Sequence, residues 1–330
     1  MTLNPGAPRA VIADALGPVE NYSLRPHDPG PPGRTEVRIA IKATGVSFVD
    51  VLVSEGRYQA RPQLPFIPGS ECAGVIEAVG EEVAGFSVGQ KVIATGWCGL
   101  FAEVANAPAA TVWPMPQSLP FEEAAVLAVS YMTAWHALID RGQLKAGETL
   151  LVLGAGGATG LAAVRIGAFL GAKVIASASS EAKRAAALMS GAQAAVDTHA
   201  EAWREDVKGA NGGRPIDVVF DPVGGDATER AFRTLGWKGR HLVVGFPAGI
   251  ATLPTSLSLL KSASLVGVSL AEFARMEPEL ARANHARVLA LAADGVLKPV
   301  VARTYRLDQF ALAMSDAAKG DSAGRIVLVT

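Results

Sequence analysis

The chain has 330 residues, of which half are apolar and 18% are charged, with 30 basic and 31 acidic side chains. This length exceeds what one hydrophobic core usually organises, so we expect two domains in a well-packed protein. The net charge of -1, with no basic block and no long apolar run, argues against nucleic-acid binding and against a membrane span. Met1 to Pro8 does not resemble a signal peptide, and two cysteines cannot form a disulfide scaffold, which favours a cytoplasmic location.

The first part of the chain has short alternating runs between glycine and proline turns. Residues 36–43 alternate strictly between apolar and polar side chains, as a half-buried strand does. Residues 74–80 form a second strand pattern that ends on a glycine, and residues 86–94 form a turn that leads into a third strand. These patterns predict a mostly β domain over residues 1–121.

The pattern changes near Pro120 to alternating strands and helices. Residues 149–153 are a continuous apolar run, as expected for a strand that is buried on both faces. Further strands are predicted at 173–177, 194–197, 216–220, 241–245 and 264–268, with helices at 161–170, 180–190 and 226–235. Such alternation predicts a parallel, doubly wound sheet over residues 122–269. Residues 270–330 resemble the first part of the chain in pattern and are predicted to complete the β domain.

A glycine cluster at residues 154–160 joins the first buried strand to its helix. In this context glycines allow the backbone to turn tightly and to approach a pyrophosphate, whose charge is attracted by the N–H groups of the helix N-terminus. We therefore predict a dinucleotide site that uses Gly156, Gly157, Ala158 and Thr159. The alternative is an ordinary glycine turn between a strand and a helix.

No carboxylate follows the second strand of this unit. An acidic residue at this place normally binds the ribose 2′-hydroxyl of NAD, and it would repel the 2′-phosphate of NADP. Ser177 and Ser179 can donate hydrogen bonds to such a phosphate, and Lys183 or Arg184 can supply positive charge. The sequence therefore favours NADPH, while the alternative is that both basic residues are solvated helix residues.

Several motifs occur in an order that is typical of one superfamily. They are residues 66–76, residues 83–92, the glycine cluster, Gly191-Ala192, residues 221–225 and residues 239–246. Together they resemble the medium-chain dehydrogenase/reductase superfamily over essentially the whole chain. The resemblance implies an α/β fold, in which residues 1–121 and 270–330 form a GroES-like β domain around a Rossmann domain at 122–269.

Alcohol dehydrogenases of this superfamily bind a catalytic zinc through an early cysteine and a Gly-His-Glu motif. The matching places in this chain hold Ser47 and, in the motif, Ser70. Since zinc needs three or four ligands in register, we predict that no metal is bound. Glu71 is expected to be a partly buried structural carboxylate, and Cys72 and Cys98 to be packing residues.

Residues 45–50 and 56–58 resemble the quinone oxidoreductase branch, although that branch usually has asparagine in place of Ser47. The resemblance implies that Tyr58 and Ser47 flank the hydride acceptor as the catalytic pair. For Tyr58 the alternative is a pocket-lining aromatic residue without a chemical role. The resemblance also places a further set of residues near the cofactor, for each of which packing is the alternative: Thr133, Thr198 (where the family has a tyrosine near the 2′-phosphate), Val223, Gly245, Phe246, Val268 and Ser269.

The expected chemistry follows from the absence of zinc ligands. Quinones and α,β-unsaturated carbonyls accept hydride without the Lewis acid that alcohol oxidation needs. We therefore expect NADPH-dependent hydride transfer to a small-molecule quinone. The alternatives are reduction of an enone or enoyl thioester, for which Arg57 and Arg61 would form a basic patch, and a non-catalytic NADPH-binding protein. The family's strand order places the apolar strand 264–268 at a sheet edge, which implies a homodimer.

Overall fold

The computed structural model describes residues 7–330. Its contacts divide the chain into two compact units. The first unit combines the N-terminal part of the chain up to Val129 with Lys298–Thr330, and the second unit is Ser130–Leu297. The sequence prediction returns to the first unit at residue 270, whereas in the structure residues 270–297 lie with the second unit.

The strands and helices of the described residues follow the alternation that the sequence predicts. The strands are β1 (Arg9–Ile12), β2 (Ser23–Pro26), β3 (Glu36–Val46), β4 (Glu71–Val79), β5 (Lys91–Thr95), β6 (Val104–Pro108), β7 (Val112–Pro114), β8 (Thr149–Val152), β9 (Lys173–Ala178), β10 (Ala194–Asp197), β11 (Ile216–Asp221), β12 (Leu235–Val243), β13 (Ser264–Gly267), β14 (Val301–Arg306) and β15 (Arg325–Val329). The helices are α1 (Phe48–Ser54), α2 (Phe121–Ala124), α3 (Ala128–Trp135), α4 (Ala158–Phe169), α5 (Glu181–Met189), α6 (Trp203–Ala210), α7 (Asp226–Phe232), α8 (Thr255–Lys261), α9 (Leu270–Met276), α10 (Pro278–Ala293) and α11 (Phe310–Lys319).

The first unit is built on a sheet with the strand order β14, β15, β3, β4, β5, β7, in which β6 also pairs with β3. β14 and β15 are parallel, and the other pairs are antiparallel. The alternation in β3 buries Val37, Ile39 and Ile41 in the core of this unit. Because β15 pairs directly with β3, both ends of the chain build one GroES-like domain.

The sheet of the second unit has the strand order β10, β9, β8, β11, β12, β13, and all of its pairs are parallel. This confirms the predicted doubly wound Rossmann sheet. Every residue of β8 is buried, as the continuous apolar run predicts. β13 forms one edge of the sheet, where Leu265 is 50% exposed. The homodimer through this strand stays a prediction.

Two contacts explain why residues 270–297 lie with the second unit. The ring of Phe273 on α9 stacks on His136, with 3.8 Å between the ring centroids. Asn284 on α10 donates a hydrogen bond to Asp140 at 2.7 Å. His136 and Asp140 belong to a π-helical turn, His136–Arg141, that continues α3. The sequence shows that these segments are helical, but helical periodicity does not indicate which unit a helix packs on.

Candidate active site

The glycine loop of the second unit follows the buried strand β8. Gly154 has a φ of +55°, a conformation that favours glycine. A side chain at Gly160 would collide with the backbone of Gly154, because the first turn of α4 packs closely against the loop. Gly157 is the exposed N-cap of α4, and no side chain of residues 7–330 caps this helix end. This leaves the N–H groups of Ala158 and Thr159 at the helix end for a ligand.

The Lys183 side chain crosses the glycine loop. A side chain at Gly156 would collide with the Cβ and Cγ atoms of Lys183, which shows how closely the two segments approach. Nζ of Lys183 donates a hydrogen bond to Oγ of the exposed Ser179 at 3.3 Å. Arg184, the other cation that the sequence offers, instead pairs with Asp197 at 3.0 Å. The structure therefore brings Lys183 and Ser179 to the loop, whereas the charge of Arg184 is directed to Asp197.

Ser177 is completely buried. Nε1 of Trp203 donates a hydrogen bond to Oγ of Ser177 at 2.9 Å, and the same Oγ lies 3.0 Å from Oγ1 of Thr198. A buried hydroxyl held between two partners does not reach a phosphate at the surface, so the structure corrects the predicted direct role of Ser177. Ser177 instead supports Thr198, which is partly exposed. Sequence reasoning missed this because Trp203 comes from a different helix, α6.

The loops that follow β11 and β12 lie against one another. The backbone N–H of Ala248 donates to the carbonyl of Val223 at 3.0 Å. A side chain at Gly224 would collide with Phe246, whose own side chain is 51% exposed. Val223, Gly245 and Phe246 are thus brought together at the carboxyl ends of neighbouring parallel strands, which is where ligands bind in open α/β sheets.

Val268 and Ser269 follow the edge strand β13. The backbone N–H of Val268 donates to the carbonyl of Val243 at 3.0 Å, which places Val268 beside the end of β12. Oγ of Ser269 accepts from the backbone N–H of Glu272 at 3.4 Å and thereby caps α9. Thr133 is half-buried on α3. The strand ends of the second unit therefore carry most of the residues that the sequence assigns to a cofactor.

In the first unit, Ser47 is the N-cap of α1. Its Oγ accepts from the backbone N–H of Asp50 at 3.0 Å. Both the hydroxyl and the backbone N–H of Ser47 donate to Oδ2 of Asp50, at 2.5 and 2.7 Å. This reciprocal capping uses the hydroxyl proton that the sequence analysis assigns to a hydride acceptor. In this structure Ser47 positions α1, and its proton is directed to Asp50.

Two buried carboxylates of the first unit, Asp50 and Glu71, share one guanidinium. Nη2 of Arg325 donates to Glu71 at 2.6 Å, and the backbone N–H of Val129 donates to the other Glu71 oxygen at 3.0 Å. Burial raises the pKa of both carboxyls, although the positive charge of Arg325 opposes the rise. Repulsion from Asp50 adds to the rise for Glu71. Glu71 thus holds Arg325 inside the domain, in agreement with the structural role expected for it.

Tyr58 lies just after α1 and is partly buried. Its ring centroid is 5.5 Å from that of Trp97, and the two rings are tilted by 35°. The side chain also packs against one of the hydrophobic core clusters of the first unit. Tyr58 is therefore held by Trp97 and by this cluster, while part of its side chain stays accessible.

The chain matches two protein families in succession. Residues 33–117 match the alcohol dehydrogenase GroES-like domain, and residues 158–285 match the zinc-binding dehydrogenases. The quinone oxidoreductase-like protein 2 homolog of Nematostella vectensis is 35% identical over 302 residues, covering 90% of this chain and 82% of that protein. Human quinone oxidoreductase is 33% identical over 325 residues and 97% of each chain. The chain belongs to the quinone oxidoreductase branch of the medium-chain dehydrogenase/reductase superfamily.

A solved structure of this branch extends the likeness to the backbone. The structure of Escherichia coli quinone oxidoreductase complexed with NADPH superposes with a TM-score of 0.87, at 26% sequence identity over 98% of this chain and 99% of that chain. The chain described here is thus an oxidoreductase of the quinone oxidoreductase branch, and its fold is that of the family throughout.

One matched family is named for zinc, but this quinone oxidoreductase relative has serine at both places where zinc dehydrogenases have a cysteine and a histidine, Ser47 and Ser70. Within residues 7–330 no three or more His, Cys, Asp or Glu side chains are grouped so as to hold a metal ion. Over the same residues, the helices are too short or too polar for any of them to span a bilayer. The absence of a metal stays a prediction.

Asp221 is a residue of this oxidoreductase whose role the sequence analysis missed. Its Oδ1 accepts from the backbone N–H groups of Val223 and Gly224, both at 2.9 Å. Its Oδ2 accepts from the Thr228 hydroxyl at 2.6 Å and from Nε2 of His241 at 2.9 Å. Burial alone would raise the pKa of Asp221, but these donors outweigh burial and hold it below its ordinary value. The signal available in the sequence was an acidic residue at the end of a buried strand, three positions before a pair of glycines.

Proposed function

We propose that this protein reduces quinones with NADPH by hydride transfer that needs no metal ion. The observation that carries the proposal is the position of Lys183, which lies across the glycine loop with its ammonium group at Ser179. Residues 177–180 contain no carboxylate that would repel a phosphate. A cation and a hydroxyl at this place match the 2′-phosphate that distinguishes NADPH from NADH.

The residues of the second unit fit NADPH in their chemistry. The backbone at residues 156–159 would bind the diphosphate, because α4 begins there with no side-chain cap from the described residues. Ser179 and Lys183 would bind the 2′-phosphate, and Phe246 and Val268 would line the remainder of the cofactor. Bound NADPH would supply the hydride. The NADPH complex of the related Escherichia coli enzyme supports this choice of cofactor.

The residues of the first unit would hold and orient the acceptor. Tyr58 would donate a hydrogen bond to the acceptor oxygen as negative charge develops there. Quinone reduction produces a stabilised hydroquinone anion that water can protonate, so we expect no indispensable acid. Ser47 would act through Asp50 by fixing the start of α1 next to the acceptor. The relatedness to human quinone oxidoreductase supports a quinone as the acceptor.

The test is a substrate panel in which NADPH oxidation is followed by its absorbance. We expect turnover with 1,4-naphthoquinone and 9,10-phenanthrenequinone, much weaker turnover with NADH, and no loss of activity in the presence of a chelator. Turnover of an alkenal or crotonyl-CoA without quinone turnover would support the enone alternative. Oxidation of primary alcohols by NADP⁺, with neither quinones nor enones reduced, would overturn the proposal.

A further inference from the structure

The first unit contains an apolar pocket of about 560 Å³ next to the candidate acceptor site. Its walls include Ile12, Phe66, Ile67 and Trp97, and Trp97 is the aromatic residue that also contacts Tyr58. This volume lies within the range of about 300–1,000 Å³ that is usual for small-molecule sites. The pocket is therefore large enough for an acceptor of more than one ring.

The pocket is held open by backbone hydrogen bonds between separate segments. The N–H of Gly99 donates to the carbonyl of Ile67 at 2.7 Å. Ala13 and Phe66 exchange two hydrogen bonds, at 2.9 and 3.0 Å, which connect the segment after β1 to the same wall. A site whose walls are fixed in this way loses little conformational freedom when a ligand binds.

Among the described residues, Arg61 is the charged side chain that lines the pocket. Arg61 lines the pocket, is exposed, and forms no ion pair with another residue of the described chain. His27 also lines it, and the lining contains no carboxylate from residues 7–330. By contrast, Arg57, four positions earlier, pairs with Glu55 at 2.8 Å. An anionic group bound at the pocket would be attracted by the guanidinium of Arg61, and salt would weaken that attraction because Arg61 is exposed.

We infer that this pocket binds the acceptor and selects a planar, conjugated carbonyl compound that carries an anionic group. The flat apolar body would pack against Trp97 and Phe66, as aromatic rings commonly do. The anionic group would pair with the guanidinium of Arg61, for which a carboxylate or sulfonate is well suited. This inference rests on the proposed function for the redox step, but not for the recognition of the anion.

The kinetic test compares one neutral and one anionic acceptor, 1,2-naphthoquinone and 1,2-naphthoquinone-4-sulfonate, with the full-length protein. We expect Arg61→Gln to raise KM for the sulfonate about five- to tenfold and KM for the neutral quinone less than about twofold, since it removes one charged hydrogen bond. Comparing both acceptors on one variant cancels their intrinsic difference in reactivity. Arg34→Gln is the control for net charge, because Arg34 belongs to the same unit, pairs with Glu81 and Glu82, and does not line the pocket. In Arg34→Gln the ratio of KM for the sulfonate to KM for the neutral quinone should stay as it is in the wild-type protein.

A binding test separates this inference from the proposed function. Naphthalene-2-sulfonate carries the anion but accepts no hydride, and calorimetric titration measures its affinity without turnover. Binding that weakens about five- to tenfold in Arg61→Gln and with rising salt supports the inference even if no quinone is reduced. Equal affinity in the wild-type protein and Arg61→Gln, or equal KM changes for both quinones, would overturn it even if quinone turnover is fast.

Discussion

Asp221 in the second unit and Asp50 and Glu71 in the first unit are all at most 5% exposed, yet their surroundings differ. Four donors, among them His241, surround Asp221, so its pKa is lowered despite burial. Asp50 and Glu71 are close enough to repel one another and depend on Arg325 alone for positive charge, so burial raises the pKa of both. Similar burial thus leads to opposite pKa shifts, because the number of hydrogen-bond donors and the sign of the neighbouring charge decide the direction of the pKa shift.

A similar contrast separates two sets of residues. The residues proposed for the cofactor belong to the second unit and are called the cofactor half, and those proposed for the acceptor belong to the first unit and are called the acceptor half. The cofactor half consists mainly of backbone groups at strand ends and one helix N-terminus, with Lys183 added from the next helix. The acceptor half consists of side chains: Ser47 is held by the buried Asp50, and the ring of Tyr58 lies against Trp97, which is 44% exposed. A change in the acceptor half should therefore disturb folding more than a change in the cofactor half does.

The largest expected effect comes from breaking the buried pair in the first unit. Glu71→Ala would leave the Arg325 guanidinium buried without its carboxylate, and Nε of Arg325 already has no hydrogen-bond partner among the described residues. Losing one partner of a buried ion pair costs about 3–5 kcal/mol, so we expect the free energy of unfolding to fall by that amount in urea denaturation. Glu81→Ala, at an exposed carboxylate, is the control and should change stability little. A loss for Glu71→Ala no larger than for the control would contradict this account.

The next effect concerns stability at acid pH: as the pH falls, the buried carboxyls of the two units change the free energy of unfolding in opposite directions. Because the pKa of Asp221 is lowered on folding, its stabilising contribution is present above its ordinary pKa of 3.8 and is lost as the pH falls through the folded value. Because folding raises the pKa of Asp50 and Glu71, the folded first unit binds protons at these carboxyls more readily than the unfolded chain does. Their contribution to the free energy of unfolding therefore rises as the pH falls towards the ordinary pKa values of these groups.

Asp221→Asn tests whether Asp221 stabilises the second unit less as the pH falls. At pH 7 we expect a loss of about 1.5–3 kcal/mol, since hydrogen bonds to a charged group are replaced by weaker ones. The variant should also lose less stability than the wild-type protein between pH 5 and the acid limit of folding. Urea denaturation at a series of pH values measures both. Parallel pH profiles for the two proteins would show that Asp221 does not contribute as described.

A smaller effect is expected in the cofactor half. Lys183→Ala should weaken NADPH binding by about 1.5–3 kcal/mol and affect NADH binding much less, because the ammonium group lies at Ser179, where the 2′-phosphate that NADH lacks would bind. Arg184→Ala is a matched control on the same helix, since Arg184 pairs with Asp197. Fluorescence titration with both cofactors measures the difference. Equal affinity of the wild-type protein for NADPH and NADH would refute the proposed cofactor choice.

The sequence indicates a local backbone motif more readily than side-chain contacts that depend on packing, for a physical reason. Glycines between a buried strand and a helix constrain the backbone locally, so the loop at residues 154–160 is recognisable without tertiary contacts. Ser177 was assigned wrongly because its partner Trp203 is remote in the chain. The links from Ser47 to Asp50 and from Glu71 to Arg325 also depend on packing. The two-unit fold followed from periodicity, but the placement of α9 and α10 depends on Phe273 and Asn284, whose partners periodicity does not identify.

The smallest expected effect distinguishes the acceptor classes at Tyr58. Tyr58→Phe keeps the ring against Trp97 and removes only the hydroxyl, so positioning by packing should survive. If the acceptor is a quinone, water can protonate the stabilised anion, and we expect kcat to fall by less than about tenfold. An enone gives a more basic enolate, for which a positioned phenol contributes on the order of a hundredfold or more. Steady-state kinetics of the variant with a quinone and with an enone measures the difference directly. A hundredfold loss with the quinone would mean that Tyr58 is an essential donor, and the acceptor half would then depend on a single hydroxyl as well as on its buried network.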